Sequence, residues 1–108
     1  MGTLILVATP IGNLADLPPR AVEALAGADL ICCEDTRRSG RLLHHAGITS
    51  RRLRRVDDHT ESAAAAEVLR VLDTGGTVAV ITDAGTPGIS DPGQRLVRAA
   101  VDAGHVVS

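Results

Sequence analysis

The run Thr77-Val78-Ala79-Val80-Ile81-Thr82, followed by Asp83-Ala84-Gly85-Thr86-Pro87-Gly88-Ile89-Ser90-Asp91-Pro92-Gly93, decides the fold. The first six residues are apolar or β-branched without alternation, which suits a parallel strand covered on both faces. The next eleven carry three glycines and two prolines. A plain connecting turn needs no such length, and its glycines let a backbone approach a ligand closely. The loop then enters a helix. Asp91 is placed to cap it, Pro92 takes the first helical position and Gln94 has capping-box spacing. Leu96, Val97, Ala100 and Val101 form its apolar face, and Gly104 stops it. Free amides at such a helix start favour an anion or a carboxylate.

The same alternation extends outward in both directions. Residues 3–8 and 28–33 are further unalternated apolar runs, 53–56 is a weaker and Arg-rich strand, and 105–108 has the pattern of a fifth. Between them, Asp16 is placed to cap a helix with Pro18 and Pro19 in its first turn, a face of Val22, Leu25 and Ala26, and Gly27 as its stop. Thr36 is placed to cap a helix over 37–46 that tolerates Gly40 and stops at Gly47. Glu61–Asp73 sets Ala65, Val68, Leu69 and Leu72 on one stripe and closes at Gly75-Gly76. Strands alternating with helices imply right-handed crossovers, hence an α/β fold: a five-stranded, mainly parallel sheet with helices on both faces. The sequence stops inside the fifth strand, which predicts the N-terminal α/β domain of a two-domain protein, spanning 1–108.

Composition narrows the chemistry. The 108 residues include no Phe, Tyr or Trp, so the core is built from Ala, Val, Leu and Ile, and no phenyl, phenol or indole ring is present to stack a base. All 11 basic residues are Arg, which excludes a Schiff-base lysine and a phosphate loop ending in Lys-Ser/Thr. Adjacent Cys32 and Cys33 point to opposite faces of a strand and read as buried, reduced thiols. With no signal peptide and no apolar run of about 18 residues, the expected location is the cytoplasm, away from any membrane.

Ligands of open α/β sheets bind outside the carboxyl ends of the strands. Four polar or Gly/Pro-rich segments fall there: Thr9-Pro10-Ile11-Gly12-Asn13, Glu34-Asp35-Thr36-Arg37, Asp57-Asp58-His59-Thr60-Glu61 and residues 83–93. Glu34 and Asp35 suit a general base, a metal ligand or an ion pair with Arg37 and Arg38. His59 beside Asp58 suits an acid or base. Asp35, Asp83 and His59 match no ligand spacing, so no metal is expected.

Charge is segregated along the chain. Residues 36–56 hold Arg37, Arg38, Arg41, Arg51, Arg52, Arg54 and Arg55 with no carboxylate, about +7, whereas the rest carries about −9. The segment reads either as a polyanion-binding surface or as a solvated face. Arg52 and Arg54 share one strand face, and Leu53 takes the other, toward the core.

Val7-Ala8-Thr9-Pro10-Ile11-Gly12-Asn13-Leu14, Glu34-Asp35-Thr36-Arg37 and the segment 83–93 resemble the signatures of the ribosomal RNA small-subunit methyltransferase I family, a branch of the tetrapyrrole methylase superfamily. The resemblance runs over essentially the whole chain. It implies an enzyme that uses S-adenosylmethionine to methylate the 2′-hydroxyl of a cytidine in small-subunit ribosomal RNA. It also implies a homodimer and a donor cleft shared with a second domain. Pro10 matches the proline of the superfamily's first loop. Ala84-Gly85-Thr86-Pro87 matches its Gly-Gly-Asp-Pro segment, and Ile89 matches an aliphatic donor contact. The implied donor-binding set is Pro10, Asp83, Ala84, Gly85, Thr86 and Ile89. Thr86 departs from the tetrapyrrole-type aspartate, and His59-Thr60-Glu61 departs from His-Asn-Glu by its threonine. The resemblance leaves the base open among His59, Glu34, Asp35, a second domain and water. The arginine segment would position RNA from the 30S subunit through its phosphates. Alternative readings are a methylase of a small tetrapyrrole and a non-catalytic RNA-binding or dimerisation module.

Overall fold

A computed structural model describes residues 1–9, 17–48, 52–83 and 91–108. Its elements run β1 (Thr3–Thr9), α1 (Pro19–Gly27), β2 (Leu30–Cys33), α2 (Thr36–His45), β3 (Leu53–Arg55), α3 (Glu61–Asp73), β4 (Thr77–Asp83), α4 (Asp91–Asp102) and β5 (Val106–Val107). The strands form a parallel five-stranded sheet in the order β3-β2-β4-β1-β5. β1 and β4 pair over seven residues, from Thr3 against Thr77 to Thr9 against Asp83.

Side chains alternate between two cores because successive strand residues face opposite ways. On one face Val7, Ile31 and Ala79 pack with Leu25 of α1 and with Leu42 and Leu43 of α2. On the other, Leu4, Leu30, Cys32, Val78 and Val80 pack with Ala64, Val68 and Leu72 of α3 and with Leu96 and Ala100 of α4. Unalternated apolar strands are thus covered on both sides, as their sequence requires. Leu53 packs toward the α1/α2 core, as expected for the residue between Arg52 and Arg54.

Several element ends differ from the sequence expectation. α2 starts one residue early, and its cap is Asp35 rather than Thr36. The cap position of α1 is Pro18, without a side-chain bond, and Asp16 lies outside the described residues. β2 begins at Leu30, because Ala28 closes α1 and the Asp29 carboxylate accepts the Thr77 amide at 2.8 Å. The buried stripe of α3 is Ala64, Val68 and Leu72, with Ala65 and Leu69 on its flank. Val101 of α4 is exposed. Gly47, Gly75 and Gly104, the stops after α2, α3 and α4, all have left-handed φ, which glycine adopts without steric cost.

The short strand β5 is held by a side chain. Nδ1 of His105 accepts the Gly2 amide at 3.0 Å, and Nε2 lies 2.9 Å from the Asp73 carboxylate. One imidazole therefore ties the start of β1 to the end of α3 and to β5. The amino terminus is packed equally closely: a Cβ on Gly2 would stand 2.5 Å from Leu72 Cα and 2.6 Å from its carbonyl oxygen. These are backbone atoms that cannot swing aside. Gly2→Ala is expected to lower unfolding free energy by about 2 kcal/mol or more. Gly27→Ala, with nothing within 4 Å of its Cβ, is expected to leave stability unchanged or raised. Urea denaturation of the two variants checks the contrast.

Candidate functional site at the carboxyl rim of the sheet

β1 and β4 lie side by side in the sheet. From β1 the chain moves to α1 on one face, and from β4 it moves to α4 on the other. The helices that follow these two paired strands thus lie on opposite faces, and ligands of open α/β sheets bind at the carboxyl ends of such strands. Thr9 ends β1, is only 3% exposed, and donates its hydroxyl to the Thr82 carbonyl at 3.2 Å. Asp83 ends β4 at the register position of Thr9. The strand ends from which the two segments depart therefore lie side by side. Pro10, Ala84, Gly85, Thr86 and Ile89 themselves lie outside the described residues. Ala8 and Thr9 end β1, Thr82 and Asp83 end β4, and Pro92 and Gly93 are buried in the first turn of α4.

The next rim segment follows β2. Glu34 and Asp35 are exposed. Asp35 accepts the amides of Arg37 and Arg38 at 3.0 and 3.1 Å. The Arg38 amide, then the Arg37 amide and the charges of Arg37 and Arg41, outweigh desolvation and hold the Asp35 carboxyl below its ordinary range. Asp35 thus begins α2 and stays ionised.

The segment after β3 is a turn organised by Asp57. Its Oδ1 accepts the amides of His59 and Thr60, both at 2.9 Å. Thr60 Oγ1 accepts the Asp57 amide at 3.0 Å and lies 2.9 Å from the Arg55 carbonyl. Desolvation opposes ionisation of Asp57, but these amides, the Thr60 hydroxyl and Arg55 outweigh it and lower its pKa. What Asp35 and Asp57 contribute to stability through ionisation is present above the ordinary carboxyl pKa of 3.8 and is lost as pH falls through their lower folded values. His59 stands exposed on this braced turn. Asp58 and Glu61 beside it are both bonded to Arg95 of α4. Sequence reasoning singled out neither Asp57 nor Arg95. An Asp two and three residues before the amides it accepts is a legible turn signal, whereas Arg95 carries no local one.

The arginine segment is less one-sided in space than along the chain. Arg52 pairs with Glu67 of α3 at 3.2 Å, and Arg55 pairs with Asp57 at 2.9 Å. Both carboxylates come from outside residues 36–56. Arg37 and Arg41 are exposed on α2, while Arg38 and Arg54 are half-buried. Arg54 Nε is the single buried side-chain nitrogen or oxygen without a partner among the described residues. Arg51 lies outside them. No group of three His, Cys, Asp or Glu side chains is arranged to hold a metal among the described residues.

Cys32 and Cys33 are buried, free thiols. Burial first, then Cys33 and Glu67, push the Cys32 thiol from 9.0 up to about 12. Burial likewise raises Cys33, against a hydrogen bond from Ser39 and with a contribution from Asp35. As pH rises above 9.0, the unfolded chain releases a proton that folded Cys32 keeps until about 12, so stability falls across that window. Neither thiol is a nucleophile at neutral pH. Iodoacetamide at about pH 8 is expected to leave both unmodified in the folded protein and to label both in denaturant. Mass spectrometry distinguishes this from rapid labelling of an accessible thiolate.

Comparison with known proteins follows this geometry. A family model described as Tetrapyrrole (Corrin/Porphyrin) Methylases matches residues 3–108. The chain is 53% identical over 103 residues to Ribosomal RNA small subunit methyltransferase I of Synechocystis sp., covering 95% of this chain and 37% of the relative. It is 50% identical over 103 residues to the protein of the same name from Escherichia coli O157:H7, covering 95% and 36%. The chain thus spans little more than a third of the length of these curated relatives. Among solved structures, uroporphyrin-III-C-methyltransferase from Thermus thermophilus superimposes with a TM-score of 0.67 at 20% identity, over 98% of this chain and 45% of that one. That likeness is one of fold.

Proposed function

We propose that this chain, which belongs to the tetrapyrrole (corrin/porphyrin) methylase family, is the N-terminal domain of a two-domain, S-adenosylmethionine-dependent enzyme that methylates the 2′-hydroxyl of a cytidine in small-subunit ribosomal RNA. The observation that carries this reading is about 50% identity over 95% of the chain to relatives named for ribosomal RNA methylation. The reading is supported by the fold, in which the carboxyl ends of β1 and β4 are adjacent, the side of an open α/β sheet on which ligands bind.

The donor site is assigned to Pro10, Asp83, Ala84, Gly85, Thr86 and Ile89. Space for a donor there is supported by the small or β-branched Ala8, Thr9 and Thr82 near the strand ends and by buried Gly93 in the first turn of α4. When bound, the donor supplies an electrophilic methyl group on a sulfonium, and the sulfur leaves as a neutral thioether. The chain's own task is alignment, since an in-line displacement gains much of its rate from holding the reacting atoms in place. Of the candidate bases, His59 fits best. It is exposed on a turn fixed from both sides, whereas Asp35 is engaged as the cap of α2 and Glu34 stands beside it. The hydroxyl proton passes to that base or to water. RNA is positioned by Arg37, Arg38, Arg41, Arg51, Arg52, Arg54 and Arg55 through phosphates. The two ion-paired members, Arg52 and Arg55, contribute least. The same reading implies a homodimer, which sedimentation equilibrium tests, and work in the cytoplasm. No helix among the described residues is long and apolar enough to cross a membrane.

Full-length protein, labelled methyl donor and small ribosomal subunits are expected to give label on a cytidine 2′-oxygen. Label on a tetrapyrrole precursor and none on RNA would overturn the reading. Replacing Arg37 and Arg41 with Ser is expected to weaken RNA binding for every sequence. The salt slope should flatten by roughly 0.7 to 0.9 log units per lost phosphate contact. Replacing Arg52 and Arg55 should do less. Filter binding across a salt series reads both, and equal effects would show that the ion pairs at Arg52 and Arg55 open on RNA binding.

A further inference from the structure

Arg95, in the first turns of α4, reaches across to the turn after β3. Its Nε bonds Glu61 Oε2 at 2.6 Å, and its Nη2 bonds Asp58 Oδ1 at 3.1 Å. One guanidinium thereby spans two carboxylates that flank His59 in sequence. On its inner side the same turn is held by Asp57 through the His59 and Thr60 amides, and Asp57 is paired in turn with Arg55. Beneath, α3 and α4 share a buried layer of Ala64, Val68, Leu96 and Ala100. The helices are therefore fixed by packing, and the polar layer above decides where the turn sits.

We propose that Arg95 is a positioning residue, clamping the turn that carries His59 to α4 and so fixing that turn relative to the carboxyl ends of β1 and β4. This rests on the methyl-transfer reading above. Half-exposed ion pairs contribute little to folding stability. Misplacement by about 1 Å in a reaction governed by alignment costs on the order of 100-fold in rate. The clamp is therefore expected to show in turnover and in local opening far more than in unfolding.

The test uses the full-length protein and the variants Arg95→Met, Arg95→Lys, Glu61→Gln and Arg95→Met combined with Glu61→Gln. Amide exchange at His59 and Thr60 is expected to quicken on the order of tenfold in Arg95→Met, while exchange in β1 and β4 stays unchanged. Turnover is expected to fall by roughly 10- to 100-fold with the donor KM within about twofold. Arg95→Lys, which keeps a single charged contact, should recover part of the loss. The double variant should be no worse than Arg95→Met alone, because both changes remove the same link. Unchanged exchange at His59 and Thr60 overturns the clamp. Faster exchange with unchanged turnover, or a rise confined to donor KM, overturns the positioning role. A wild-type protein that transfers no methyl group removes the proposed reaction instead, and the exchange data still uphold or overturn the clamp.

Discussion

The seven-residue pairing of β1 with β4 is the constraint on which the rest of the structure depends. It sets both cores at once, because Leu4 with Val78 and Val80 serves one face and Val7 with Ala79 serves the other. A slip by one residue would exchange the faces of every side chain in β1. A slip by two would preserve the faces but part Thr9 from Asp83, and with them the two segments that leave the sheet there. Packing and the adjacency of the two strand ends thus depend on the same register. The Thr9 hydroxyl bond to Thr82 adds a polar tie at the end of the pair where slippage would matter most.

The arrangement at the rim differs in kind from the core below it. The core contains no aromatic ring and is tiled from Leu, Val, Ile, Ala and buried cysteine. Small aliphatic side chains on a two-faced sheet fill space densely without any polar group to satisfy. Order at the rim comes instead from carboxylates. Asp35 starts a helix, Asp57 shapes a turn, and Asp58 and Glu61 reach a neighbouring helix through Arg95. Acidic groups that look available in sequence are therefore mostly engaged, which leaves His59 conspicuous among the groups considered for proton transfer.

Much of this was legible in the sequence, within limits set by the range of each interaction. Strands and helices announce themselves by periodicity and by Gly, Pro and cap residues, so all nine elements could be named. Their spatial order could not, since an apolar run does not specify its neighbour. Asp35 and Thr36 are adjacent residues with similar capping preference, and only the backbone geometry separates them. On α3 the expected Val68 and Leu72 are buried, and the alanine differs, Ala64 being buried and Ala65 packed at its flank, because the two alanines are equivalent in pattern. At the site, the rim segments followed from the strands alone. The partners of Arg95 lie 34 and 37 residues away, and those of Arg52 and Arg55 fall outside the basic segment. Local charge patterning cannot register such pairings, and it overstated the isolation of the arginines.

The place of β1 in the sheet also bears on how the chain is made. Its two neighbours are β4 and β5, so Thr3 must wait for Thr77 and Val106, and the Gly2 amide waits for an imidazole 103 residues further on. On the ribosome, β2 and β3 can meet soon after they emerge, while β1 stays without its sheet partners until β4 and β5 have followed. Contacts of such long sequence separation slow folding and prolong the exposure of apolar strand. Of the five strands, the one between β4 and β5 is thus the earliest in the chain and the one whose pairing depends on the latest residues.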